Sequence, residues 1–180
     1  MLFVSTRGKA DLVSASHAIT RGLAGDGGLF VPKHFPHLSL GDLKAMEKKP
    51  YTERAVGILM HFLTDFSEDE LRECVENAYA PEKFGGYPAP LVKVNANTSV
   101  LELWHGPTSA FKDMALQLLP HVLTKAIAKT KDIATKKPVF WAVLKTIKHI
   151  GPTANCNNNP NFNPSKYFFI YYFTLSYFIL

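Results

Sequence analysis

Between residues 91 and 120 the sequence changes from strand-like to helix-forming, and Pro107 marks the break. Valine and leucine residues occur on both sides of the polar turn NANTS, which predicts two short strands. Pro107 disfavours helical backbone at Gly106, and the residues from Ala110 onward are good helix formers. A chain that alternates strands, loops and helices in this way is expected to belong to the α/β class.

Lys112 has the greatest chemical interest, because the pattern places it in the first turn of the predicted helix. Thr108 or Ser109 is expected to cap that helix. The positive end of the helix dipole disfavours a nearby cation and burial disfavours any charge, so both effects favour a neutral lysine amine. A neutral amine is the nucleophile that forms imines with carbonyl compounds. The alternative interpretation is an ordinary solvated lysine on the surface of a helix.

The run around Lys112 resembles the cofactor-lysine segment of threonine synthase, a pyridoxal-phosphate enzyme. Residues 101–113 read LELWHGPTSAFKD, and two further segments, STRG at 5–8 and DGGLFVP at 26–32, resemble amino-terminal segments of the same family in the same order. The resemblance covers residues 1 to about 130. It implies a small α/β amino-terminal domain followed by an incomplete pyridoxal-phosphate-binding domain of fold type II.

This resemblance implies a lyase of threonine biosynthesis, which converts O-phospho-L-homoserine and water into L-threonine and phosphate. Lys112 would then be both the catalytic and the cofactor-binding residue: it would hold pyridoxal 5'-phosphate as an imine and later move protons among the substrate carbons. Asp113 would support the helix amino terminus electrostatically. Thr108 and Ser109 would either cap the helix or donate to substrate or cofactor oxygens. His105 would either contact a bound ring or pack as a structural residue.

We expect three regions along the chain. Residues 1–83 would form the amino-terminal domain and residues 84–138 the beginning of the pyridoxal-phosphate domain, with a Pro- and Gly-rich stretch at 81–90 as the boundary. Residues 139–180 depart from the family pattern, which continues with a segment resembling TSGDTG, and are expected to be a divergent tail that is non-native or disordered. Its asparagine-rich and aromatic-rich stretches suggest a frameshift or gene fusion near residues 135–145.

Because members of the family are more than twice as long, the resemblance also implies that this chain is a truncated and impaired catalyst. The glycine-rich cradle for the cofactor phosphate lies, in such enzymes, beyond the point where this sequence departs. The alternative function is that of a non-catalytic protein, which would bind a partner through an exposed, unfinished sheet.

The rest of the first 90 residues predicts structural elements. A strand at residues 2–5 leads to a helix at about 14–24, and Gly27 and Gly28 form a tight turn before a buried strand that ends at Pro32. Apolar spacing predicts a helix from about Thr52, as its cap, to Phe66. Ser67 and Glu70 have the spacing of a capping box for the next helix, whose predicted apolar stripe is Leu71, Cys74, Val75 and Ala78. Cys74, in that helix, is expected to be a small packed residue.

Charge and composition exclude several classes of function. The net charge is +5, but residues 1–113 carry 12 basic and 14 acidic side chains, whereas residues 114–180 carry 8 and 1. This regional excess argues against a nucleic-acid partner. The two cysteines lack the spacing of a metal site, and His34 and His37 have an HxxH spacing but lie in a predicted loop without a third ligand, so no metal is expected. The amino terminus has no secretory pattern, which predicts a cytoplasmic location, and the apolar end is shorter than the about 20 residues of a membrane span.

Overall fold

The computed structural model describes residues 1–130, and in this part of the chain helices and strands are mixed, as the α/β prediction requires. The elements in chain order are β1 (Phe3–Ser5), α1 (Ala15–Arg21), β2 (Phe30–Pro32), α2 (Leu40–Glu47), α3 (Tyr51–Phe62), α4 (Glu68–Ala78), α5 (Pro81–Phe84), β3 (Leu91–Lys93), β4 (Ser99–Leu101), α6 (Asp113–Leu116) and α7 (Leu119–Thr130). Within these residues no helix is long and apolar enough to cross a bilayer. The tail predicted at 139–180, the boundary at 138 and Cys156 lie outside the described residues.

The first two strands form an antiparallel ribbon with a tight turn beside it. Val4 in β1 lies opposite Val31 in β2. In the turn, the carboxylate of Asp26 accepts hydrogen bonds from the Ser5 hydroxyl at 2.7 Å and from the Gly28 N–H at 2.9 Å. These bonds lower the pKa of Asp26. A side chain at Gly28 would collide with the Ser5 hydroxyl, so the prediction of a glycine-built tight turn is confirmed.

The ends of two helices differ from the prediction. Ser14 caps α1, but the helix ends at Gly22 rather than at about residue 24, because Gly22 has a φ of 72° and its N–H bonds back to the Ala18 carbonyl. Helix α3 is preceded by Pro50 rather than capped by Thr52. It also ends at Phe62, four residues earlier than predicted, because the chain turns there towards the cap of α4.

Helix α4 matches its prediction closely. Ser67 and Glu70 form the predicted capping box, in which each side chain bonds to the backbone N–H of the other residue. The face of α4 that contacts the core consists of the predicted apolar stripe, Leu71, Cys74, Val75 and Ala78. Burial raises the pKa of the Cys74 thiol to about 11, so this cysteine is protonated and acts as a packing residue.

We expect Ser67→Ala to lower the free energy of unfolding by about 1 kcal/mol, because it removes the cap of a helix that is embedded in the core. Ser39→Ala removes a capping box of the same type from α2, which has no buried residue. That control should fray α2 with little effect on global unfolding. Urea denaturation of both variants compares them directly. Equal losses would contradict the assignment of α4 to the core.

Helix α7 connects the carboxyl-terminal part of the described residues to the amino-terminal part. Pro120 is its second residue, a position where the missing N–H of proline costs no helical hydrogen bond. The buried face of α7 packs against α1 and α4 in one hydrophobic core, and Lys125 and Lys129 form ion pairs with Glu73 and Glu70 of α4 at 2.6 and 2.7 Å. The segment that carries Lys112 is therefore fastened to the first 80 residues. The domain boundary at 83 stays a prediction.

Candidate active site

The strands before the lysine segment form a hairpin, as predicted. Strands β3 and β4 are antiparallel, with Val92 opposite Val100, and all six of their residues are exposed. In the described part of the chain no third strand pairs with them. The Glu102 N–H donates to the Pro90 carbonyl at 2.9 Å, so the pairing ends at the point where the loop towards Lys112 begins.

The first half of that loop is held by a contact between Glu102 and His105. The Nε2 atom of His105 lies 2.7 Å from Oε2 of Glu102, and the imidazole stacks on the half-exposed Trp104 ring with 5.8 Å between centroids. Both partners of His105 belong to the same loop. Within the described residues His105 therefore acts as a structural residue of the loop, while the predicted contact with a bound ring stays a prediction.

The second half of the loop is fastened by Asp113, which is completely buried. Its Oδ2 accepts the Thr108 N–H at 2.7 Å and its Oδ1 accepts the Thr108 hydroxyl at 2.8 Å. Hydrogen bonds to a carboxylate are stronger than those between neutral groups. These two bonds therefore offset the cost of burying the Asp113 side chain. Thr108 therefore donates to Asp113 and does not cap a helix, which corrects the capping prediction.

Gly106 and Ser109 show why the loop has this shape. A side chain at Gly106 would lie 2.7 Å from Oδ2 and 2.9 Å from Cγ of Asp113, so only glycine leaves room for the buried carboxylate. Ser109 has a φ of 54°, in the left-handed region that few residues other than glycine adopt, and its N–H bonds to the Gly106 carbonyl at 3.0 Å. Ser109 is exposed. It does not cap α6, so the prediction of Ser109 as the cap is also wrong.

Lys112 is the residue immediately before α6, one position earlier than the first turn in which it was predicted. Its backbone angles are helical, with φ of −62° and ψ of −19°, and its carbonyl accepts the Leu116 N–H at 2.9 Å. The side chain is partly exposed. A reagent can therefore reach part of this residue without the chain unfolding.

Tyr79 is a residue of this site that the sequence reasoning missed. It is buried at the end of α4, and its hydroxyl donates to the Met114 carbonyl at 2.7 Å. Its ring packs against Tyr51 and Phe84, with centroids 5.0 and 5.7 Å away. Burial raises the pKa of Tyr79 well above its ordinary value, so the hydroxyl keeps its proton and remains a donor. The donor and the acceptor are 35 positions apart in the sequence, so no local pattern indicates this contact.

The two histidines with HxxH spacing lie away from Lys112 in the sequence. His34 and His37 are in the loop between β2 and α2. Among residues 1–130, no group of three or more His, Cys, Asp or Glu side chains is arranged to hold a metal ion.

Comparison with known proteins identifies relatives of this chain. A family model described as "Threonine synthase N terminus" matches residues 2–79. The threonine synthase of Pseudomonas aeruginosa is 38% identical over 130 residues, which are 72% of this chain and 28% of the relative. Human threonine synthase-like 1 is 43% identical over 115 residues, which are 62% of this chain and 16% of that protein. The chain therefore spans less than a third of the length of these relatives.

Solved structures agree with the sequence comparison. The pyridoxal-phosphate-bound threonine synthase of Brucella melitensis superposes with a TM-score of 0.68 and 38% identity, over 73% of this chain and 28% of that one. The threonine synthase of Escherichia coli superposes with a TM-score of 0.63 and 33% identity, over 70% of this chain and 28% of that one. The predicted α/β fold class is thereby confirmed. A match over 130 residues of a 180-residue chain includes Lys112 wherever it begins.

Proposed function

Because residues 2–79 match the threonine synthase amino-terminal model and a longer part of the chain is similar to threonine synthases, we propose that the chain belongs to this family and that Lys112 is the residue through which it binds pyridoxal 5'-phosphate. We further propose that the reaction associated with this site is the conversion of O-phospho-L-homoserine and water to L-threonine and phosphate. The chain covers 28% of the bacterial relative. The substrate and the activity of the whole relative are therefore proposals for this chain.

One observation supports the proposal above the others: a partly exposed lysine lies at a junction of loop and helix whose backbone is tightly held. The Lys112 carbonyl enters the hydrogen bonds of α6, and the next residue is fastened to Thr108. A surface lysine in an ordinary helix needs neither a buried carboxylate beside it nor a glycine that makes room for that carboxylate. This arrangement limits the positions that the Lys112 amine can take.

The chemistry divides between the cofactor and the chain. Pyridoxal phosphate, when bound, supplies an electron sink for carbanions next to the substrate nitrogen. The Lys112 amine would hold the cofactor and would be placed to carry protons between substrate carbons. Thr108 contributes by holding the loop, because its hydroxyl is already committed to Asp113.

We expect pyridoxal phosphate to produce a visible absorbance band with the wild-type chain and no band with Lys112→Ala. Lys93→Ala, which removes an exposed lysine from β3, is the matched control and should keep the band. Absorbance spectra with circular dichroism as a folding check test this. A band of equal height in Lys112→Ala would contradict the role of Lys112.

A second candidate function is favoured by the exposed hairpin, which is the unfinished sheet of the alternative interpretation. Leu91 and Leu101 are 68% and 52% exposed, and the strands that carry them have unpaired edges within the described residues. Such a surface suits the binding of another protein segment. A folded wild-type chain without the absorbance band would favour this binding role over catalysis.

Several expectations stay predictions. They concern the impairment of catalysis, the cytoplasmic location and the absence of a nucleic-acid partner. A phosphate-release assay with O-phospho-L-homoserine measures the first of them.

A further inference from the structure

We propose that Asp113 is a positioning residue for Lys112: its buried carboxylate holds the loop at residues 106–108 against the start of α6 and thereby fixes where the lysine amine can reach. The proposal rests on the proposed function, since the position of the amine matters only if Lys112 attaches the cofactor. It differs from the role expected for Asp113 from sequence, which was electrostatic support of a helix amino terminus.

The hydrogen bonds of Asp113 favour positioning over support of the helix. Both of its carboxylate oxygens accept hydrogen bonds from Thr108, five residues earlier and outside α6. Helix α6 has four residues, so little dipole is available to support. The carboxylate therefore acts between the loop and the helix.

The bonds of Asp113 constrain Lys112 directly, because the two residues share one planar peptide group. The same group contains the Lys112 carbonyl, which accepts the N–H groups of Ala115 and Leu116 at 3.1 and 2.9 Å. The peptide group that follows the Cα atom of Lys112 is therefore held both by the bonds of Asp113 to the loop and by the helical bonds of α6.

A second contact holds α6 on the next residue. The Tyr79 hydroxyl donates to the Met114 carbonyl at 2.7 Å, from a side chain that belongs to the amino-terminal core. Asp113 and Met114 are thus fastened to two different parts of the chain. Asp113 determines how the loop approaches the helix, and Tyr79 determines where the helix lies on the core.

The test measures which lysine takes the cofactor. The full chain is mixed with pyridoxal phosphate, reduced with borohydride and mapped by peptide mass, so that the other lysines serve as internal references. In the wild type, Lys112 should take most of the label. Asp113→Asn keeps the size of the side chain but removes the negative charge that strengthens both hydrogen bonds to Thr108, and it should lower the Lys112 share about tenfold.

Two further variants separate positioning from general stability. Thr108→Val removes only the hydroxyl donor and should also lower the Lys112 share, whereas Thr108→Ser keeps the donor and should restore it. Asp26→Asn disturbs a carboxylate with the same kind of partners in another loop and should leave the share unchanged. If Asp113→Asn does not fold, as judged by circular dichroism, the comparison of Thr108→Val with Thr108→Ser tests the positioning role instead.

The outcomes distinguish the two proposals. If all lysines of the folded wild type are labelled equally, the proposed function fails and the positioning role fails with it. If wild-type Lys112 is preferred and the folded Asp113→Asn and Thr108→Val variants keep that preference, only the positioning role is overturned. Amide hydrogen exchange at Thr108, which needs no cofactor, should accelerate in Asp113→Asn. Unchanged exchange there would also overturn the role.

Discussion

Replacing Gly106 with alanine is expected to lower the free energy of unfolding by about 3 kcal/mol. The new methyl group would lie 2.7 Å from Oδ2 and 2.9 Å from Cγ of Asp113. Asp113, which is completely buried, cannot move aside without losing its hydrogen bonds to Thr108. The variant must therefore break those bonds or displace the loop. The urea midpoint of unfolding measures the loss.

Gly57→Ala is the matched control for this substitution. Gly57 lies inside α3, and a methyl group there would meet only Met46 Sδ, at an ordinary contact distance of 3.7 Å. Because alanine favours helix and restricts the unfolded chain, this control should gain about 0.5–1 kcal/mol. A Gly106→Ala variant as stable as the wild type would show that the loop and Asp113 are not packed as described.

Replacing Phe84 with alanine is expected to cost about 3–5 kcal/mol, the range for a buried phenylalanine. Phe84 is 1% exposed, in a short helix within the stretch from which the sequence predicted a domain boundary. Its ring packs on Tyr79, which in turn bonds to the Met114 carbonyl. The substitution should therefore leave a cavity and also loosen α6. Thermal unfolding followed by circular dichroism gives the change.

Phe35→Ala removes the same side chain from an exposed site and serves as the comparison. Phe35 is 70% exposed and makes one edge contact with Phe62, at 6.4 Å between centroids. The expected cost is about 0.5 kcal/mol. Similar losses for Phe35→Ala and Phe84→Ala would mean that α5 is not part of the core.

The parts of the fold that follow from local pattern were predictable. The stripe and capping box of α4 and the hairpin around NANTS are examples, because each depends on residues a few positions apart. Helix α2 was missed, since its leucines face solvent and its capping box uses Asp42 in place of the usual Glu. The end of α1 was misplaced because Leu23 and Ala24 continue the apolar pattern after Gly22 has ended the helix.

For the candidate site, the sequence indicated the lysine but not what holds it. The motif predicted Lys112 at a loop–helix junction to within one residue. The bonds between Asp113 and Thr108 depend on a turn in which Ser109 adopts a left-handed conformation, and no spacing rule anticipates that. The role of Tyr79 could not be predicted for another reason. Its partner is a backbone carbonyl, which any residue would supply.

The fastening of α7 to α1 and α4 bears on how this region can vary in length. The points that hold the lysine segment are Thr108 just before it, and Tyr79 and α7, which connect it to the core. The turn at residues 94–98 is exposed and is not one of these points. Insertions or deletions at that turn should therefore be tolerated during evolution, whereas a single residue gained or lost between Gly106 and Asp113 would put the carboxylate out of register with its donors.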